Sequence, residues 1–253
     1  MTTVLTGYYD DKFDLDYISN YMIKLTKSTK KSTAFHVWCN ESDEETLSVI
    51  NKIRNNKIVY ESLKNKFPNM KIKNIPEVDE IYYAISPSLA NGSDRSLVDC
   101  HYDAPFRFMP NNKILFYRII VACNENKDVE TSFPNDNIKV IMNTGDFHGL
   151  SYNDDIHCVV GAIPKSKHRV LLKLHYMLIP NEYDDNTFYE KFIKYINIKW
   201  TILSRNFMNN STDSNTISSK IVNTSRYLYN NIYLVIFIVF ILVFIKYYRL
   251  RLF

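Results

Sequence analysis

Glycine is scarce in this chain, 5 among 253 residues, while Asn, Lys, Ile and Tyr abound. Such a bias often follows the base composition of a genome and says little about function. Cysteine numbers 4, at Cys39, Cys100, Cys123 and Cys158, and no two stand in a CxxC spacing. Its absence argues against a zinc knuckle or a thioredoxin-like site. The opening residues MTTVLTGYYDDKFD lack the apolar core of a signal peptide, so reduced cysteines are expected, and the Asn-x-Ser/Thr acceptors at Asn40, Asn91, Asn209, Asn210 and Asn223 are expected to stay unused. Charge of one sign is not concentrated anywhere: 31 Lys and Arg face 27 Asp and Glu, a net charge of +4 scattered along the chain. No nucleic-acid footprint is indicated, because that needs a basic face or tract. The length allows one domain with a substantial core and short appendages, not two full domains.

Residues 1–70 read as a helical and strand support region. Leu15, Ile18, Met22 and Leu25 have weak helical spacing, AFHVWC reads as a short buried strand, and Ser42 with Glu45 fits a capping box for a helix carrying Leu47, Ile50 and Ile53. A second helix through Val59, Leu63 and Phe67 stops at Pro68. From about Lys71 the period changes. KIKNIPEV, EIYYAIS, SLVDCHYD, KILFYRIIVACN, NIKVIMNTGDF, DIHCVV and RVLLKLHYML are β-branched and aromatic runs separated by Asn, Gly, Pro and Asp. Such a series over residues 71–183 predicts a jelly roll, giving a mainly β fold with flanking helices. Residues 184–205 predict a packing helix that turns Phe188, Phe192, Tyr195, Ile196 and Leu203 toward the barrel, and residues 206–226 read as a flexible linker.

A long apolar run occurs only near the C-terminus. Ile232 to Ile245 is 14 residues without a charge. At about 1.5 Å per residue it spans roughly 21 Å of a bilayer core of about 30 Å. The flanks extend it, with tyrosines near both ends, so residues 227–253 are expected to be a transmembrane anchor with a short basic tail. A single-pass C-terminal anchor is expected to leave the large domain in the cytosol.

The chemistry concentrates in two stretches. In HYDAPF, His101 and Asp103 stand two apart, so in extended chain both side chains point the same way. An oxygen-activating iron(II) site needs two His and one carboxylate on one face of the metal. GDFHGLSYNDDIHCVV then delivers His157 at the start of a strand, 56 residues after His101, and Arg169 follows 12 residues later at the head of RVLLKLHY. An Arg on the adjacent antiparallel strand can aim its fork at a carboxylate of a cosubstrate that chelates the same ion. His148 competes as the distal ligand, but it lies 21 residues from Arg169, a long detour between neighbouring strands. Leu171, Lys173 and His175 share the face of Arg169; His168 faces the other way.

The order HYD, GDFHGLSYNDDIHCV, HRVLLKLHY resembles the iron(II)/2-oxoglutarate-dependent dioxygenases of the double-stranded β-helix fold, particularly the prolyl-hydroxylase-like branch, over roughly residues 75–180. The resemblance implies that His101, Asp103 and His157 bind Fe(II), with His148 as the alternative distal ligand. It implies that Arg169 binds the distal carboxylate of 2-oxoglutarate, that Lys173 and Tyr117 are candidates to complete that pocket, and that O2 is the oxidant. The expectation is a membrane-anchored dioxygenase hydroxylating an unidentified substrate, a protein side chain being one candidate class. The alternative is a catalytically inactive jelly-roll module for structure or interaction, tethered to a membrane.

Overall fold

A strand whose successive residues are nearly all apolar or aromatic must be covered on both faces, and the central strands here are of that kind. The computed structural model describes residues 3–29, 34–85, 100, 103, 113–152, 154–161, 163, 167–184 and 187–210. His101, the rest of HYDAPF apart from Asp103, nearly all of SLVDC, most of the expected linker and the expected anchor lie outside the described residues. The chain divides into two units, Met1–Ser204 and Arg205–Phe253. All strands among the described residues belong to the first unit.

The main sheet has the order β1 (Leu5–Tyr8), β8 (Asp146–Ser151), β5 (Leu115–Ala122), β10 (His168–Pro180), β4 (Glu80–Ile85), β2 (Ala34–Trp38), and β3 (Met70–Asn74) pairs with the far half of β10. The second sheet is β7 (Ile138–Met142), β6 (Asn126–Phe133), β9 (Cys158–Gly161). Every pairing is antiparallel. From β5 onward the chain passes main, second, second, main, second, main, which is the winding of a jelly roll. β6 has no apolar run to mark it as a strand, because its exposed face is polar; Asn126, Val129, Thr131 and Phe133 form the buried face.

Each face of the main sheet has its own core. Ile81, Tyr83, Tyr117, Ile119, Val121, Phe147, Val170, Leu172 and Leu174 pack against the helices α1 (Lys12–Thr29), α2 (Glu44–Arg54) and α3 (Lys57–Lys66), through Leu15, Ile18, Met22, Ile50, Ile53, Val59 and Leu63. On the opposite face Tyr82, Ala84, Ile120, Ala122, Leu150 and Leu171 meet Val129, Phe133, Met142 and Val159 of the second sheet. The helix starts differ slightly from the sequence reading. Asp43 caps α2 by accepting from the Thr46 N–H at 2.7 Å, in place of a Ser42–Glu45 box. Asn56 caps α3.

Three expectations are corrected. Residues 1–70 do not merely support the barrel: β1 and β2 form the two ends of the main sheet's strand order. Helix α4 (Phe188–Asn210) extends into the stretch read as linker, and it buries a different face. Glu190, Ile193, Asn197 and Thr201 turn inward, while Phe188, Phe192, Tyr195 and Leu203 are exposed. The reason is complementarity: the barrel presents Lys73 to Glu190 at 2.6 Å and the Tyr152 hydroxyl to Asn197, so a polar stripe is the one that fits. Finally, Cys100 and Cys158 form a disulfide, whereas Cys39 and Cys123 are free and buried. A separation of 58 residues hid that proximity, and the disulfide removes the cysteine argument for a reducing compartment. Among the described residues no helix is long and apolar enough to cross a membrane.

Candidate active site

Between the two sheets the main sheet does not present an apolar surface throughout. Its strands bring Glu80, Arg118, His148, Arg169, Lys173 and His175 inward, all of them buried. Burying so many polar side chains is unfavourable unless each finds a partner, and the partners define the site.

Asp103 lies beside His157, Oδ1 to Nε2 3.8 Å, although the two are far apart in sequence. The second carboxylate oxygen of Asp103 accepts from the Arg118 Nη1. The His157 Nδ1 faces the Asp155 carbonyl at 3.4 Å, which leaves Nε2 directed at Asp103. The disulfide joins the residue before His101 to the residue after His157, stapling together the two segments that carry the candidate ligands. His148 also enters this space. Its Nδ1 contacts the Met142 sulfur at 3.1 Å, and its Nε2 is buried with no hydrogen-bond partner among the described residues. Burial pushes the His148 imidazole down to about 3, with the charges of His157, Arg169 and Lys173 acting in the same sense. The Phe133 ring stands 5.9 Å from that of His148 and 6.1 Å from that of His157, an apolar wall common to both.

Arg118 is the hub of a buried polar chain. Its Nε donates to His175 Nε2 at 2.8 Å, and the other ring nitrogen of His175 faces Asp79 at 3.2 Å. Asp79 in turn accepts from Arg54 Nε at 2.8 Å and from the His175 N–H at 2.7 Å. Burial, then the Arg118 cation, lower the His175 pKa, consistent with a neutral ring that donates to Asp79 and accepts from Arg118. Glu80 lies 3.3 Å from Lys173, 3.8 Å from Arg118 and 3.2 Å from His36.

Arg169 differs from the other cations. Its Nε donates to Asn126 at 2.9 Å, and its guanidinium stands 5.9 Å from the centre of the Tyr82 ring. No carboxylate among the described residues pairs with it, and burial lowers its pKa. Lys173 approaches the same ring, 5.3 Å from its centre. Counted as formal charges, Asp103 and Glu80 offset two of the three cations Arg118, Lys173 and Arg169, leaving one positive charge at the Arg169 end.

Of the residues singled out by sequence, Asp103, His157, His148, Arg169 and Lys173 therefore meet between the sheets. His101 lies outside the described residues, and among the described residues no three His, Cys, Asp or Glu side chains are grouped to hold a metal. Tyr117 does not join them. Alternation along β5 turns it to the helix side, where its hydroxyl donates to the Thr3 carbonyl at 2.7 Å. The neighbouring Arg118 faces inward instead. Sequence reasoning missed Arg118, Glu80, Asp79 and Asn126. The signal for Arg118 was present: one cation inside the apolar run ILFYRIIVA must be paired when that strand is central.

The donors present suit a metal. Two ligands each about 2.1 Å from one ion can stand at most about 4.2 Å apart, and the Asp103–His157 separation of 3.8 Å lies within that limit. The carboxylate is also presented through one oxygen, because Arg118 holds the other.

No protein-family model matches this sequence, and no curated protein matches it either. Solved structures that resemble the fold include the viral collagen prolyl hydroxylase of Paramecium Bursaria Chlorella virus-1 in its 2OG complex, 15% identical over 70% of this chain and 96% of that one, with a TM-score of 0.48. Others are a Pseudomonas putida prolyl-4-hydroxylase, 10% identical over 70% and 92% with a TM-score of 0.43, and the non-heme alpha ketoglutarate dependent epimerase SnoN from nogalamycin biosynthesis, 10% identical over 72% and 80% with a TM-score of 0.48. Likeness of this degree carries no argument about chemistry, which rests on the side chains of the site.

Proposed function

We propose that this chain is an iron(II)- and 2-oxoglutarate-dependent dioxygenase, with a protein side chain as its substrate class and the apolar C-terminal segment as a membrane tether. The observation that carries the reading is the placement, between the two sheets, of Asp103 and His157 at 3.8 Å together with a buried guanidinium, Arg169, that lacks a carboxylate partner among the described residues. The sequence adds His101 as the third ligand. Iron and 2-oxoglutarate, when bound, supply the oxidation of a C–H bond by O2, with succinate and carbon dioxide as co-products. The protein's part is placement. Arg118 holds one oxygen of Asp103 and so aims the other; the Asp155 carbonyl orients His157; Arg169, with Lys173 against the same Tyr82 ring, would hold the distal carboxylate of the cosubstrate. Phe133 and Met142 line the His148 side and keep water from it.

One observation favours a metal-free module instead: Arg118 already neutralises Asp103, so that carboxylate has a cation partner without a metal. The same experiment separates the two. Anaerobic addition of Fe(II) and 2-oxoglutarate to the purified chain should give the visible charge-transfer band of an iron–oxo acid chelate, and air should then release succinate. Asp103→Ala should lose both signals. Undiminished succinate release by Asp103→Ala would overturn the site, and a folded chain that takes up no iron would favour the module.

A further inference from the structure

Helix α4 buries its polar stripe and exposes its aromatic one. Phe188 is 85% exposed, Tyr195 59%, Phe192 and Leu203 45% each and Trp200 40%. Phe188, Phe192, Tyr195 and Leu203 are spaced four, three and eight residues apart, so they form a single stripe along the helix. The stripe lies opposite Ile193, Asn197 and Thr201, which pack inward. The charges on this helix have one sign where they are accessible. Lys191 and Lys199 are exposed and Lys194 is half-buried against Glu77, whereas the single acid, Glu190, is buried against Lys73. Lys199 sits within the stripe, its ammonium 5.5 Å from the centre of the Tyr195 ring, and its long stem lets the charge reach past the rings.

We propose that this face of α4 lies on an anionic lipid surface, with Phe188, Phe192, Tyr195 and Leu203 toward the lipid and Trp200, partly exposed at the edge of the stripe, at the headgroup level. The inference rests on the tether part of the proposed function, and two features of the chain select lipid over other occupants. First, amphipathic rings flanked by lysines are the chemistry of the membrane interface. A second copy meeting the same face about a two-fold axis would bring lysines against lysines. Second, the apolar run Ile232–Ile245 begins 22 residues after the helix ends at Asn210. Even fully extended, that connection reaches only about 70–80 Å. A weak interfacial helix tethered within that distance of a bilayer acts at high effective concentration, so modest intrinsic affinity for lipid suffices.

The test uses the full chain with vesicles of phosphatidylcholine and phosphatidylserine, in a roughly three-to-one mixture, with or without bromine on the acyl chains. Bromine quenches only indoles that lie within the bilayer. The chain should float with the vesicles, and its tryptophan emission should fall when the lipids are brominated. Trp200→Phe, a change at an exposed position, should abolish that fall by leaving only Trp38, and Phe188→Ser with Phe192→Ser should reduce it. Flotation with emission indifferent to bromine would overturn the lipid-facing helix and leave the tether standing. Emission that responds to protein concentration but not to bromine would overturn it in favour of a second copy. Failure to float would remove both the tether and the docking face, while the succinate assay judges the chemistry separately.

Discussion

Arg118 shows how much one side chain organises here. Buried and joined to Asp103, His175 and Glu80, it links the candidate metal ligand to the Asp79–Arg54 pair on the far side of His175. Breaking a buried pair leaves the surviving charge unpaired, which costs about 3–5 kcal/mol. Asp79→Ala should therefore lower the unfolding free energy by about that much in urea titrations. Arg169 makes a different kind of prediction. If it clamps a carboxylate, Arg169→Met should raise the KM for 2-oxoglutarate by roughly 10- to 150-fold, the equivalent of a charge-assisted bond of about 1.5–3 kcal/mol, with little change in melting temperature. His148 contributes to the pH dependence of stability. Its folded pKa of about 3 lies below the ordinary 6.5, so the unfolded chain takes up a proton that the folded chain refuses. That contribution to stability is complete above about pH 6.5 and is lost as pH falls toward about 3. Melting curves of the iron-free protein at about pH 7 and about pH 5 should show a smaller loss in His148→Leu than in the wild type; equal losses would count against a neutral buried His148.

At the scale of elements, close approach and cross-linking set the geometry. Gly149 on β8 lies against Tyr117 and Ile119 of β5: a Cβ there would stand 2.5 Å from Tyr117 Cε1 and 2.7 Å from its hydroxyl. Tyr117 is fixed by its bond to Thr3, so the clash is not easily relieved. The disulfide acts from the other direction, closing a loop of 58 residues between the segments that carry the candidate ligands. Its removal by Cys158→Ser should destabilise the chain by about 2–4 kcal/mol, read as a fall in denaturation midpoint, and should weaken iron binding beyond any effect of Cys123→Ser. Equal iron affinity with and without the Cys100–Cys158 bond would show that pairing with β6 suffices to hold β9 in place.

At the scale of the whole molecule, the main sheet separates stability from chemistry. One face rests on helices and the other encloses the site, so damage to the two sides should read out differently. Ile50→Ala, in the helix-side core, should cost about 2–5 kcal/mol and leave the affinity for 2-oxoglutarate unchanged. Phe133→Ala, which removes the wall beside His148 and His157, should cost a similar amount and also weaken cosubstrate binding. Titration calorimetry on both variants, below their melting temperatures, distinguishes the two effects.

The amino-acid sequence alone indicated most of the strands, though not β1 or β6, the helical support, and the shared face of Arg169 and Lys173, because those follow from local period and from alternation along β10; that Asp103 and His157 belong with them was implied by the resemblance of the motif order. It could not determine which residue of a fully buried strand faces the site. In ILFYRIIVA both faces are covered, so period does not tell Tyr117 from Arg118, and Arg118 is the residue turned inward. Nor could it determine the Cys100–Cys158 bond or the orientation of α4. A disulfide needs proximity in space, and a helix buries whichever stripe its neighbour fits; Lys73 and Tyr152 fitted the polar stripe and left the aromatic one outside.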